Sequence, residues 1–186
     1  MTTAEGWKRL RARMKADSRK GSAALEFAFV APVFFVLLMG TFEAAIMFFS
    51  QAALQNAVTD MARLIRTGQA QTGNMTKDTF RTQLCAKVAP LIACDANLQI
   101  DVQAYSGYTN VSNTPPLKSD NTLDPSQNNY IIGNACDVVL VRAFYTWPVV
   151  TPVLTWFLVN MAGNKHLVTA AAAFRNEPYT TSTGGC

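Results

Sequence analysis

Glu26 is the residue of this sequence whose type and position most clearly indicate chemistry, because a carboxylate stands at the start of an apolar run. The run extends from Phe27 to Phe49, and about 20 apolar residues are enough for a helix to cross a lipid bilayer. A charged side chain in such a segment is costly to keep and therefore indicates a function. Glu43 lies near the far end of the same run, where it can reach the opposite interface or contact another subunit.

The basic residues of the chain are concentrated before the apolar run. The whole sequence has 16 basic and 12 acidic residues, a net charge of +4. Residues 1–20 hold seven of the basic and two of the acidic residues, so the remainder carries a net charge of −1. This asymmetry predicts a leader that stays in the cytoplasm. It also predicts no nucleic-acid partner, because no excess of positive charge remains for the folded part.

Four cysteines follow the run, on the side that this orientation assigns to the oxidising periplasm: Cys85, Cys94, Cys136 and Cys186. Four cysteines allow three pairings. On one uninterrupted helix, Cys85 and Cys94 would be ~13 Å apart by helical rise, beyond the ~7 Å limit for a disulfide. Pro90 ends the helix and lets the chain turn back. We therefore favour Cys85–Cys94, which leaves Cys136–Cys186.

For the other candidate groups, a structural role is favoured over a catalytic or metal-binding one. His166 is the single histidine, and no Gly-x-Ser-x-Gly or comparable motif supports a nucleophilic site around it. The cysteines lack a C-x-x-C pair for a metal. Five polar residues could bind calcium but do not have EF-hand spacing, so we expect a solvated loop: Asp120, Asn121, Asp124, Asn128 and Asn129. The sequence predicts no metal, no cofactor and no enzymatic activity.

The elements that must position these groups follow an α+β pattern. Apolar residues at three- and four-residue spacing continue after the run, so a single helix is predicted over residues 22–68, with Gly68 as its stop. A second helix is predicted from Thr76, as its cap, to Ala89. Alternating or apolar stretches predict three strands: residues 98–104, 135–145 and 167–174.

Two connections complete this pattern. Residues 106–134 are rich in Ser, Asn, Thr, Gly and Pro and predict a long polar loop. Residues 147–159 are apolar, but two prolines and the short length argue against a second membrane span. We interpret them as a buried or surface-lying crossover, with Trp147, Trp156 and Phe157 as core or interface residues. An exposed patch there would mark a partner site.

The predicted organisation is a basic cytoplasmic leader (1–21), a transmembrane and amphipathic helix (22–68) and a periplasmic α+β head (69–186). A head of this size can bury only a modest core, so disulfides would help to hold it.

Residues at both ends of the chain carry a family resemblance. A glycine followed by a short small-residue stretch, Glu-Phe and a membrane helix resembles the processing site of type IV pilin-like precursors. The segment Ala24–Ala28, Pro32 and the continuation Gly40-Thr41-Phe42-Glu43 resemble the TadE-like proteins of tight-adherence (Flp) pili. The ending Phe174–Tyr179 is similar to a carboxy-terminal stretch of the same family.

The resemblance implies roles for named residues. A prepilin peptidase would recognise Gly21, Ser22, Glu26 and Phe27 and cut after Gly21, leaving Ser22 as the new first residue. The Glu26 carboxylate would then pair with the new amino group of Ser22 on a neighbouring subunit. The alternative for Glu26 is a simply solvated position at the cytoplasmic headgroup boundary. The implied fold is pilin-like, with the long helix packed on a small antiparallel sheet.

Three functional hypotheses follow. The first is a minor pilin-like (pseudopilin) component of a tight-adherence pilus system in the bacterial inner membrane, with prepilin peptidase and other pilin-like subunits as partners. The second is an uncleaved bitopic anchor that binds pilus or envelope proteins through its periplasmic domain. The third is a membrane-tethered enzyme. The mature amino terminus separates the first two, and an activity that survives without the helix would identify the third.

Overall fold

The computed structural model describes residues 3–179. Its contacts divide the chain into two compact units, Met1–Phe42 and Glu43–Cys186. The helices are α1 (Thr3–Arg66), α2 (Gln69–Thr72), α3 (Lys77–Val88) and α4 (Thr155–Leu158), and the strands are β1 (Leu98–Tyr105), β2 (Val138–Pro148) and β3 (Lys165–Arg175). The predicted α+β class is confirmed: a long apolar amino-terminal helix accompanies a small antiparallel sheet.

The part of α1 that lies in the second unit forms one side of the core of the head. Its apolar residues recur at helical spacing and are almost completely buried, as expected for an amphipathic helix: Met47, Leu54, Ala57, Val58, Met61, Ala62 and Ile65. The helix ends at Arg66, and Gly68 then adopts a left-handed conformation with φ of 76°. Glycine accepts this conformation without strain, so the predicted stop is confirmed.

Helix α3 follows the sequence prediction closely. Thr76 caps it by accepting a hydrogen bond from the backbone N–H of Thr79 at 3.2 Å. Phe80, Leu84 and Val88 form its buried stripe and extend the same core. The Phe80 ring also packs edge-on against the ring of Tyr130, with centroids 5.6 Å apart.

The sheet has three antiparallel strands in the order β1-β2-β3. In its middle, Val102 lies opposite Val141, which lies opposite Ala172. Because side chains alternate along a strand, these residues share one face, and they form the core together with α1 and α3. The three predicted strands are thus present, with boundaries that differ by a few residues.

The edge strand β3 is covered by a side chain of α1. The Gln55 amide donates to the carbonyl of Ala171 at 3.0 Å, and its oxygen accepts from the N–H of Ala171 at 3.2 Å. One glutamine thereby satisfies both backbone groups of an edge residue that would otherwise be available for pairing with another strand.

The second face of the sheet is covered by the long polar loop, and it contains a buried ion pair. Asp101 is fully buried, and its carboxylate lies 2.7 Å from Nη2 of Arg142 on β2. Arg142 also donates to the carbonyls of Ser112 and Thr114, at 3.2 and 2.8 Å. Alternation along the strand would leave Asp101 on a solvent-facing side, but the loop folds over that side and the arginine neutralises the carboxylate.

Candidate functional site

The apolar run of α1 has the properties of a membrane-spanning segment. Among the described residues, one helical stretch, Ser22–Arg66, is long and apolar enough to cross a bilayer, with a mean hydropathy of 2.2 in its most apolar window. Only 6% of that window is buried within the protein. Apolar side chains are exposed all around this part of the helix, among them Phe27, Phe29, Phe34 and Leu37. Such a surface suits hydrocarbon rather than water.

The residues predicted for peptidase recognition lie together on α1. Ser22, Glu26 and Phe27 are exposed, and Gly21 lies within the helix. Ser22 and Glu26 are four residues apart and therefore share one face of the helix. No hydrogen bond or ion pair joins Glu26 to another of the described residues, so its carboxylate is available to a group outside them. Its recognition and pairing roles stay predictions.

Glu43, in contrast, is used inside the head. Its Oε1 accepts a hydrogen bond from the backbone N–H of Val150 at 2.6 Å, and its Oε2 accepts from the N–H of Thr151 at 2.8 Å. A carboxylate that accepts two backbone N–H groups is a strong, directional anchor. It attaches the apolar crossover to the helix. The position of Glu43 in the sequence suggested an interfacial or subunit-contact role. It does not reveal this anchor, whose partners are more than 100 residues away in sequence.

The crossover itself lies on the surface. Residues Pro152–Leu154 form a short 3₁₀ turn, and α4 follows directly. Trp147 is half-buried and packs edge-on against Tyr145, whereas Trp156 and Phe157 are exposed. The two alternatives left by the sequence are therefore both realised, in different parts of the segment.

The described cysteines form disulfides, one of which closes the segment that follows α3. A disulfide joins Cys85 to Cys94, with Cα atoms 5.9 Å apart, so the chain turns back after α3 as the position of Pro90 suggested. Cys136 is also disulfide-bonded. Cys186, the predicted partner of Cys136, lies outside the described residues, and that pairing stays a prediction.

The acidic residues of the polar loop accept hydrogen bonds from residues two positions further along the chain. The Oδ1 atom of Asp120 accepts from the hydroxyl and N–H of Thr122, and that of Asp124 accepts from the hydroxyl and N–H of Ser126. These hydrogen bonds, those from the hydroxyls foremost, lower the pKa of both carboxyl groups. Within the described part of the chain, no group of three or more His, Cys, Asp or Glu residues is arranged to hold a metal ion.

His166 is half-buried, and its Nδ1 contacts the carbonyl oxygen of Leu158. It therefore links β3 to the end of α4, a structural contact between residues eight positions apart.

The carboxy-terminal stretch 174–179 holds the end of α1. Glu177 forms an ion pair with Arg66 at 2.8 Å, and its backbone N–H donates to the carbonyl of the same arginine. The side-chain amide of Asn176 is buried and donates to the carbonyls of Ile132 and Asn134. A side chain at Gly68 would collide with the ring of Tyr179. The segment similar to the family ending is thus part of the packing at this helix terminus.

Together these features define a chain with a small α+β head and a long apolar amino-terminal helix that is compatible with a single-pass membrane protein. Residues 21–63 match the model of a protein family described as TadE-like protein. The match begins at Gly21 and includes both Glu26 and Glu43, so the resemblance to TadE-like proteins is confirmed over this segment. No curated protein and no solved structure matches the chain.

Proposed function

We propose that this protein is a minor pilin-like component of a tight-adherence pilus system. It would be inserted in the bacterial inner membrane by α1, with the leader in the cytoplasm and the head in the periplasm. Its role would be structural rather than enzymatic: it would assemble with other pilin-like subunits through the helix. The observation that supports this best is the family match over residues 21–63 on a helix whose apolar surface is exposed.

Processing by a prepilin peptidase after Gly21 is the second part of the proposal. The mature chain would begin at Ser22, with Glu26 as its fifth residue. Removal of the leader would take away a charge of about +5 from the cytoplasmic end, since residues 1–20 carry seven of the basic and two of the acidic residues. A mature subunit would then present one carboxylate and one new amine near the same end of the helix.

The uncleaved anchor is a second candidate, and one observation favours it. Helix α1 begins at Thr3 and so includes the bond between Gly21 and Ser22. A peptide bond within a helix must unwind locally before a protease can bind it in an extended form. An anchor that keeps its leader would bind pilus or envelope proteins through the head.

The experiment is to determine the amino terminus and mass of the protein in cells with and without the prepilin peptidase. We expect an amino terminus at Ser22 only when the peptidase is present. Gly21→Asp should leave the full-length precursor in the membrane. The matched control Gly6→Asp, at another leader glycine, should still be cut. A wild-type protein that keeps its leader in a peptidase-competent cell would rule out processing and leave the anchor.

A further inference from the structure

The crossover, residues 147–159, has a surface unlike that of an ordinary exposed loop. No charged side chain occurs from Trp147 to Asn164. Its outward residues are large and apolar: Val150 is 79% exposed, Trp156 90% and Phe157 81%, and Val153 is also exposed. Adjacent apolar residues that remain open to solvent mark a contact surface rather than a folding defect.

The hydrogen bonds of Glu43 fix where this surface lies along α1. Its carboxylate holds the N–H groups of Val150 and Thr151, so the start of the crossover lies beside that residue of α1. Glu43 is still inside the apolar run, six residues before its end at Phe49, or roughly 9 Å at 1.5 Å of rise per residue. Peripheral apolar segments bury themselves about 5–10 Å into the boundary between headgroups and acyl chains.

The helix exposes apolar side chains at the same level. Met47 and Ser50 face the head and are buried, whereas Ile46, Phe48 and Phe49 are exposed. The apolar surface of the crossover therefore lies at the same level along α1 as exposed apolar side chains of the run. Tryptophan is also enriched at bilayer interfaces, where the indole ring buries its apolar body and keeps its N–H near water, and phenylalanine is among the residues that interfacial segments bury.

We propose that the crossover is a second membrane contact of this protein: Trp156, Phe157, Val150 and Val153 insert into the outer leaflet of the inner membrane and hold the head against the bilayer. The occupant of this surface is lipid. The inference rests on membrane insertion by α1, one part of the proposed function, and not on processing or filament assembly.

Tryptophan fluorescence in lipid tests this directly. The full chain is reconstituted in vesicles of phosphatidylethanolamine and phosphatidylglycerol that contain lipids brominated either near the headgroup or near the chain end. The Trp7→Phe chain retains Trp156 and Trp147, and adding Trp156→Phe gives a background with Trp147 alone. We expect lipid brominated near the headgroup to quench a component that is lost on Trp156→Phe, and aqueous iodide to leave that component unquenched.

Three added reporters in the Trp147-only background make the result specific. Phe157→Trp should restore quenching by lipid brominated near the headgroup. Tyr108→Trp is the matched control: Tyr108 is exposed and shares a cleft with Arg66, which lies 23 residues and roughly 35 Å along α1 from Glu43. It should be quenched by iodide and not by brominated lipid. Leu37→Trp, in the apolar run, should be quenched by lipid brominated near the chain end.

Each other outcome overturns the proposal at an identifiable step. If Leu37→Trp is not quenched by lipid, α1 is not inserted, and membrane insertion fails together with this inference. If Leu37→Trp is quenched but Trp156 and Phe157→Trp respond to iodide instead, the crossover faces water and only this inference fails. If those two reporters are shielded from both quenchers in a manner that depends on protein density, a second copy covers the surface and the lipid contact is wrong.

Discussion

Glu26 and Glu43 are two carboxylates on one apolar helix, and they differ in whether they have hydrogen-bond partners within the chain. Glu43 accepts two backbone N–H groups of the crossover, so its charge is satisfied within the head. Glu26 is exposed and has no partner among the described residues. From the sequence, contact with another subunit was open for both. Of the two acids, Glu26 is therefore the one for which we propose contact with another subunit.

The largest expected effect follows from that difference. Glu26→Gln should permit processing but greatly reduce incorporation into the pilus system, because an amide cannot neutralise a neighbouring amine. Two opposite charges 4 Å apart attract by about 4 kcal/mol at an effective dielectric constant of about 20, before the cost of desolvation. The measurement is co-purification of pilus-system partners from membranes. The matched variant Glu43→Gln should co-purify normally, since both carboxylate oxygens of Glu43 already accept hydrogen bonds within the head. Unchanged co-purification of Glu26→Gln would refute the ion-pair role.

The sequence predicted much of the head because its signals are local. Thr76 caps the helix that follows it, Gly68 ends α1, and alternation in β1 placed Ile100 and Val102 on the core face. Each of these depends on side chains within a few residues of one another. A single sequence is sufficient for such features, since their causes are capping, backbone conformation and the periods of helix and strand.

The features that sequence analysis missed depend on contacts between distant segments. Asp101 reads as the polar partner of an alternating strand, and only the folded loop shows that it is buried against Arg142. The link from Glu43 to the crossover has the same origin. A charge pattern can indicate that an acid needs a partner, but it does not identify a backbone N–H that is brought there by tertiary structure.

The second-largest expected effect concerns stability, and it is seen by comparing substitutions of two methionines of α1. Met47 is 1% exposed and belongs to the core of the head, whereas Met39 is 56% exposed and lies in the apolar run. Met47→Ala should lower the free energy of unfolding of the head by about 2–5 kcal/mol, the usual cost of deleting a buried methionine. Met39→Ala should change it by less than about 0.5 kcal/mol. Chemical denaturation of the full chain in detergent, followed by tyrosine and tryptophan fluorescence, measures both. Equal losses of unfolding free energy in the two variants would contradict the assignment of Met47 to the core of the head and of Met39 to the exposed apolar run.

The smallest expected effect is local to the crossover. In Glu43→Gln the side chain keeps its shape but retains one acceptor oxygen, so one of the N–H groups of Val150 and Thr151 faces an amide donor instead. An unsatisfied polar group costs about 1–3 kcal/mol, and that energy opposes only the attachment of this segment. Hydrogen exchange of those two amides should accelerate by roughly 5- to 150-fold, at about 1.4 kcal/mol per factor of ten, while the amide of Val141 in the central strand stays unchanged. Acceleration throughout the sheet would instead make Glu43 a residue that supports the whole head, and unchanged exchange at Val150 and Thr151 would remove its role as the anchor of the crossover.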